Sequence, residues 1–376
     1  MAPKNGESVK KLNYYLNKGL FRFLVDAIIE MEQTNSRIIY IDVLRIIAAF
    51  AVILLHVSSQ RFKDCFPSDE WIVRMIYNSL GRWSVPVFVM ISGALFLDKS
   101  KKINIKRLFS KNIARIIKVF LFWSFIYAIY DGLYKNGLVG FIAGTIHGPF
   151  HFWFLKMLLG LYIVVPILRA VVSDKKLELY FIRVCIVVTF FIPMFFPIIG
   201  HYNLKVKDFI VEYYNSMGLG IVSGYIGYFV LGHYLSSYII NPSIKKFIYL
   251  MGVLGLLAVN LITYNVSYVS GAIYSELYGS FNIFSLFEAT AVFVFIKSIH
   301  ISTRYYPLLI RVSKTSLGIY ILHVLILHVA NDYFCVDSSL FNQAFLIPLH
   351  SLFVFIISFV IVSILLRAPI LKRFVI

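Results

Sequence analysis

Residues 38–58 read IIYIDVLRIIAAFAVILLHVS, an apolar run long enough to cross a bilayer as one α-helix. This run nevertheless contains Asp42, Arg45 and His56. Because charge inside a membrane is costly, such residues usually face a protein interior or a water-filled cavity. Arg45 and His56 are eleven residues apart, which corresponds to about three turns and ~16 Å along one helix face. The stretch therefore predicts a membrane helix with a cation near one end and an imidazole near the other.

The composition of the whole chain is that of a protein embedded in lipid. Of its 376 residues, 60% are hydrophobic and only 14% are charged, and the mean hydropathy is +0.81. Soluble domains are far less apolar. The formal net charge of +18 does not indicate a nucleic-acid-binding protein, because soluble basic binders are not this apolar and the positions of the charges have a better explanation. The three cysteines show neither metal-binding nor redox spacing.

Ten apolar stretches of about twenty residues predict an all-α, polytopic integral membrane protein. Their approximate bounds are 38–58, 75–97, 111–134, 152–171, 179–199, 217–238, 244–264, 281–300, 308–331 and 344–367. Because no linker or tandem repeat interrupts residues 38–376, we interpret them as one membrane domain. Within residues 1–37, leucine or isoleucine recurs at every fourth position from Leu12 to Ile28, among lysines and an arginine. That pattern predicts an interfacial amphipathic helix, and a frayed tail is the alternative.

The distribution of positive charge predicts the orientation of the chain. Of the 36 lysines and arginines, 26 lie in or beside the N-terminus, the even-numbered loops and the C-terminus. Cytoplasmic loops of membrane proteins carry such an excess. We therefore expect both termini to be cytoplasmic.

With this orientation, the polar residues within the spans fall into two groups by depth. Asp42, Arg45, Arg115 and Lys118 lie toward the cytoplasm, a net basic set that suits an anionic ligand. The outer group mixes imidazoles, cations and a carboxylate, as acid–base chemistry requires; it comprises His56, Arg82, His151, Trp153, Lys156, Glu288 and His323. Each residue also has a structural interpretation, such as charge neutralisation between Asp42 and Arg45. We interpret His201, His233, His300 and His350 as interfacial.

Several stretches, taken in order, resemble acyltransferase family 3, the integral-membrane O-acyltransferases of bacterial surface polysaccharides. The lead-in YIDVLR and the spacing of Arg45 and His56 are similar to that family's arginine–histidine signature. The other matching stretches are VPVFVMISGALFL (85–97), HFWFLKMLLGLYIVVPIL (151–168), YFVLGHYL (228–235) and SLGIYILH (316–323). The closest likeness within the family is to single-domain enzymes acting on glycans such as enterobacterial common antigen. The resemblance spans roughly residues 36–370.

The resemblance implies a donor and an acceptor. The donor is acyl-CoA, most often acetyl-CoA, used as a substrate rather than as a tightly bound cofactor, and the acceptor is a hydroxyl of a cell-surface glycan or of its lipid-linked precursor. It also implies a multi-pass location in the bacterial cytoplasmic membrane and leaves a homo-oligomer open. No metal and no nucleic acid are expected.

The expected roles of the individual residues follow from their depth and from the resemblance. The inner cations, Arg45 chiefly with Arg115 and Lys118, would hold the CoA phosphates. His56 would act as general base or as nucleophile, and Glu288 would orient its imidazole or bind sugar hydroxyls. The expected acceptor-site residues are Arg82, His151, Trp153, Tyr320 and His323. A transporter or flippase that moves a glycan or a small molecule without acyl transfer is the alternative function.

Overall fold

A computed structural model describes residues 38–334, 342–369 and 371–375. These residues form helices joined by turns, and no β-strand occurs among them. The predicted interfacial helix within residues 1–37 lies outside this part of the chain, and so does Cys335. The all-α fold class is confirmed.

We number the principal helices in chain order. They are α1 (Ile39–Ser59), α2 (Asp69–Gly81), α3 (Ser84–Phe96), α4 (Ala114–His147), α5 (Trp153–Val171), α6 (Lys175–Cys185), α7 (Phe196–Tyr202), α8 (Leu204–Ser216), α9 (Ile226–Ser237), α10 (Pro242–Ser270), α11 (Ile283–Ser298), α12 (Tyr306–Lys314), α13 (Ser316–Phe334) and α14 (Gln343–Leu365). Shorter helical segments join them; two of these, Leu108–Ile113 and Ile186–Phe191, are π-helical.

The helices confirm a polytopic membrane protein with close to the predicted number of spans. Eight helical stretches in the described part of the chain are long and apolar enough to cross a membrane. Two further pairs pass the same test together but are sharply bent, by 86° before α9 and by 55° between α12 and α13. The total is therefore eight to ten. The predicted sixth and ninth spans correspond to the bent pairs rather than to straight helices.

Helix α1 lies at the centre of the bundle. Buried residues make up 56% of its most apolar window, compared with 22% for α10 at the periphery. Its C-terminal end is held by Arg74 of α2, which is 1% exposed and donates to the carbonyl oxygens of Val57 and Gln60 at 3.4 and 2.7 Å. The last carbonyls of a helix have no partner within it, so this guanidinium supplies one inside the protein. The C-terminal end of α1 is thereby fixed to α2.

Helices α3 and α9 cross at very close range because glycines meet at the crossing. A Cβ atom on Gly93 would lie 1.7 Å from the carbonyl oxygen of Phe229, and one on Gly232 would lie 2.1 Å from that of Met90. Small residues at such contacts let membrane helices approach backbone to backbone. This crossing holds α3 against the core, where its other face meets α1.

Candidate active site

Arg45, in the N-terminal half of α1, lines a cavity. The Arg45 side chain is 31% exposed and lies 3.9 Å from the carboxylate of Asp42, one turn earlier. Asp42 is itself 2% exposed and accepts a hydrogen bond from Ser313 Oγ at 2.5 Å. The expected neutralisation between Asp42 and Arg45 is therefore present, but it is shared with the segment before the α12–α13 bend. That arrangement leaves the guanidinium directed at the cavity.

This cavity, which we call the Arg45 cavity, has a volume of about 320 Å³ and lies among α1, α3, α4, α5 and the α12–α13 bend. Three cationic side chains line it, Arg45, Arg115 and Lys314. Aliphatic and aromatic side chains form most of the remaining wall, with the hydroxyl groups of serines and tyrosines between them. On α13 the lining continues to Tyr320, one helical turn beyond Ser316. The cavity thus has a cationic region and an apolar region that reaches toward the outer half of the bundle.

Three histidines converge next to Tyr320, although the sequence places them on three different helical segments. The ring of His323 is 5.1 Å from that of His56 and 5.4 Å from that of His151, measured between centroids. The ring of Tyr320 is 5.7 Å from that of His323 and 5.9 Å from that of His151. We call His56, His151 and His323 the histidine cluster. His56 does not line the Arg45 cavity itself; the two sites are connected through Tyr320 and His323.

Hydrogen bonds to the backbone hold the cluster in place. The Tyr320 hydroxyl donates to the carbonyl oxygen of His151. His323 Nδ1 lies 2.6 Å from the carbonyl oxygen of Tyr320, and His151 Nε2 lies 3.3 Å from that of Ile321. His151 and His323 are 1% and 0% exposed, whereas His56 is half-buried. Two fixed imidazoles therefore surround a third that retains access to a ligand.

Arg82 lies between the histidine cluster and Glu288. Its Nε donates to Asn78 Oδ1 at 2.8 Å, its Nη1 donates to the carbonyl oxygen of Tyr278 at 2.8 Å, and its guanidinium stacks on the Tyr278 ring. Its charge interacts electrostatically with both His56 and Glu288. Arg82 is thus a braced cation at the edge of the cluster.

A residue that orients the imidazole of His56 would lie against it, but Glu288 faces a separate crevice. It is 6% exposed and lines an apolar crevice of about 440 Å³ together with Trp83, Gly252 and Phe295. Neither the Arg45 cavity nor the ring contacts of the histidine cluster include it among the described residues. The structure does not bring Glu288 into contact with His56.

The remaining predicted residues divide in the same way. Arg115 and Lys118 are both exposed on α4, but only Arg115 lines the Arg45 cavity. Trp153 is 41% exposed at the start of α5, where its ring lies 5.6 Å from that of Tyr225. In the part of the chain that the structure covers, no group of three or more histidine, cysteine or acidic residues is arranged to hold a metal ion.

Sequence reasoning missed some polar residues of the bundle. Lys314 joins the cavity because the chain bends at Thr315, and the polar run from Ser313 to Ser316 within an apolar span was the available signal. Two of the histidines interpreted as interfacial are packed inside the protein: His233 is 1% exposed, with its Nδ1 2.7 Å from Glu178 Oε1, and His350 is 5% exposed. His300 is exposed. The depth of these histidines relative to a membrane stays a prediction.

The fold and the site together define a polytopic membrane protein in which a cation-lined cavity adjoins a buried group of imidazoles. A family model described as an acyltransferase domain, that of acyltransferase family 3, matches residues 38–368. The chain therefore belongs to this family and is a membrane acyltransferase. Searches of curated proteins and of solved structures found no significant match.

Proposed function

We propose that the protein moves an acetyl or other short acyl group from cytoplasmic acyl-CoA to a hydroxyl of a cell-surface glycan or of its lipid-linked precursor. The observation that carries this proposal is the Arg45 cavity, which has cations in one region and reaches Tyr320 beside the histidine cluster in the other. A donor with a polyanionic head and a long, thin arm ending in a thioester matches that layout.

The charges of the cavity match those of the donor. CoA carries several phosphate oxygens, and guanidinium and ammonium groups form charge-assisted hydrogen bonds with phosphate. Arg45, Arg115 and Lys314 would hold the nucleotide part, and the apolar wall would hold the pantetheine arm. Lys118 lies outside this wall and would have no contact with the donor. With both termini in the cytoplasm of a bacterial cell, the cationic region would face the compartment that contains CoA.

The chemistry requires one proton acceptor near the thioester. We assign His56 as the general base: it would take the proton of the acceptor hydroxyl as the oxygen attacks the thioester carbon. The carbon–sulfur bond then breaks, and the CoA thiolate receives the proton from His56. The alternative is an acyl-imidazole on His56, which requires two transfers instead of one.

The acceptor would approach from the side of the cluster away from Arg45. Trp153, which is partly exposed and lies beside Tyr225, would offer an apolar face for a sugar ring. Arg82 and His151 would contact sugar hydroxyls, and Tyr320 and His323 would close the site from α13. Glu288 would contribute through the charge of Arg82 rather than by touching His56.

The test uses membrane vesicles from cells lacking the gene, complemented with wild-type protein or a variant and supplied with [¹⁴C]acetyl-CoA. Base-labile label in the glycan fraction reports O-acetylation. The His56→Ala variant should lose transfer, and Arg45→Ala should raise the KM for acetyl-CoA. His300→Ala is the matched control, because this histidine is exposed in a loop.

Full O-acetylation by His56→Ala would contradict the proposed chemistry. Transport of a glycan by the purified wild-type protein without any acetyl transfer would favour the transporter alternative.

A further inference from the structure

A buried tyrosine bonds to the backbone of α13 at the turn that carries the site residues. Tyr127 of α4 is 1% exposed, and its hydroxyl donates to the carbonyl oxygen of Ile321 at 2.8 Å. The same hydroxyl accepts from the N–H of Leu325 at 2.9 Å. In an uninterrupted α-helix these two backbone groups would bond to each other. A hydroxyl that bonds to both groups holds this turn of α13 from the side of α4.

A backbone carbonyl of the same helix fixes the protonation pattern of His323. A carbonyl oxygen can only accept a hydrogen bond, so the 2.6 Å contact with Tyr320 makes Nδ1 of the neutral imidazole the nitrogen that bears hydrogen. Nε2 then carries the lone pair. This atom is buried and has no hydrogen-bond partner among the described residues, although a buried polar atom usually has one. The nearest imidazole outside the buried part of the cluster is His56, at 5.1 Å between ring centroids.

His151 is fixed by the same turn. Its Nε2 donates to the carbonyl oxygen of Ile321, the group that also accepts from Tyr127. The carbonyl oxygen of Ile321 thus links Tyr127 to His151, and the bonds of Tyr127 to Ile321 and Leu325 hold the turn of α13 that carries His323. The ring of His323 lies slightly closer to that of His56 than to that of His151.

We propose that His323 is the second imidazole of the reaction centre and that Tyr127 is the positioning residue that sets it; this assignment rests on the proposed acyl transfer. His323 Nε2 would accept the N–H of His56, which leaves the other nitrogen of His56 free to take the hydroxyl proton. A base held in this way by a third group is the general arrangement of activated nucleophiles. The hydroxyl O–H and the thioester C–S bonds break, the ester C–O bond forms, and the proton leaves on the CoA sulfur.

Two variants separate chemistry from folding. Tyr127→Phe keeps the ring and removes only the hydroxyl. His323→Asn keeps a donor near the position of Nδ1 and removes Nε2. Loss of a general acid–base group commonly lowers the rate ~10²–10⁴-fold. We therefore expect kcat to fall about 100-fold or more in His323→Asn and about tenfold in Tyr127→Phe, with the KM for acetyl-CoA within twofold of wild type.

Added imidazole should restore part of the activity of His323→Asn. The matched control is Tyr214→Phe, since the Tyr214 hydroxyl also donates to a backbone carbonyl, at 2.6 Å from Val188, but lies on α8 away from the cluster. This variant should keep wild-type kcat. A spectroscopic measurement adds a readout that folding alone does not move. In protein labelled with ¹⁵N-histidine, the His323 signal, identified by its loss in His323→Asn, should show an unprotonated Nε2.

The proposal is overturned if Tyr127→Phe and His323→Asn both retain wild-type kcat, or if the NMR signal shows hydrogen on Nε2 of His323. These outcomes differ from failure of the proposed function. If the wild-type protein transferred no acetyl group, the tautomer measurement would still decide whether Nδ1 of His323 bears the hydrogen.

Discussion

Replacing Lys314 with alanine tests whether the cationic region of the Arg45 cavity binds the nucleotide part of the donor. A hydrogen bond to a charged group contributes about 1.5–3 kcal/mol. Lys314 is exposed, so the lower end of that range applies, and about 1.4 kcal/mol corresponds to a tenfold change in affinity. We expect the KM for acetyl-CoA to rise about tenfold in Lys314→Ala while kcat stays near wild type. The additional Arg115→Ala change should raise the KM to about 100-fold that of wild type if the two contacts are independent.

The assay compares two donors in the same vesicles, acetyl-CoA and S-acetylpantetheine, which lacks the phosphates. The effect of Lys314→Ala should be confined to acetyl-CoA and should shrink as salt screens the charges. Lys118→Ala is the matched control, because Lys118 is a neighbouring exposed lysine outside the cavity. Equal KM values for Lys314→Ala and Lys118→Ala would refute the reasoning. Equal losses with both donors would show that Lys314 acts on the structure and not on the phosphates.

Three further predictions concern the fold. Gly93→Ala should lower the free energy of unfolding by about 1–3 kcal/mol, because its Cβ would lie 1.7 Å from the Phe229 carbonyl oxygen and force α3 away from α9; an unchanged melting temperature in detergent would contradict this crossing. Arg74→Ala should cost about 3 kcal/mol, since it breaks the ion pair of a buried guanidinium with the half-buried Glu70 and leaves the end of α1 without its donor, and a melt that matches wild type would exclude that role. Single cysteines from Lys63→Cys and Lys101→Cys, in a cysteine-free background, should react with a membrane-impermeant maleimide from opposite sides of intact cells or inverted vesicles, whereas labelling from one side would reject the predicted orientation.

The sequence was sufficient to predict the fold class, because spans are determined mainly by length and hydropathy. Helix α1 begins and ends within one residue of the predicted run 38–58. The ninth predicted span, 308–331, is bent by 55° at Thr315. The polar run before the bend marks its position, but apolar periodicity does not give the angle between the two helices.

Depth along a span could be read from the sequence, but the direction of a side chain could not. His56, His151 and His323 were all placed in the outer half, and their convergence depends on how three helical segments pack. Glu288 was placed at a suitable depth, yet its helix turns the carboxylate toward a separate crevice. Tyr127 is one of 25 tyrosines, and nothing in the sequence distinguishes it as the one whose hydroxyl bonds to the backbone of α13.

Because of the 55° bend at Thr315, one short stretch of chain reaches both the Arg45 cavity and the histidine cluster. Lys314, just before the bend, lines the Arg45 cavity. About two turns after the bend, His323 belongs to the histidine cluster and Tyr320 contacts it. A displacement of the lysine would be passed on to the imidazole through fewer than ten residues of backbone. Binding of the donor and alignment of the proton acceptor would then be mechanically linked. The enzyme without donor would have a less well aligned reaction centre than the enzyme with donor bound.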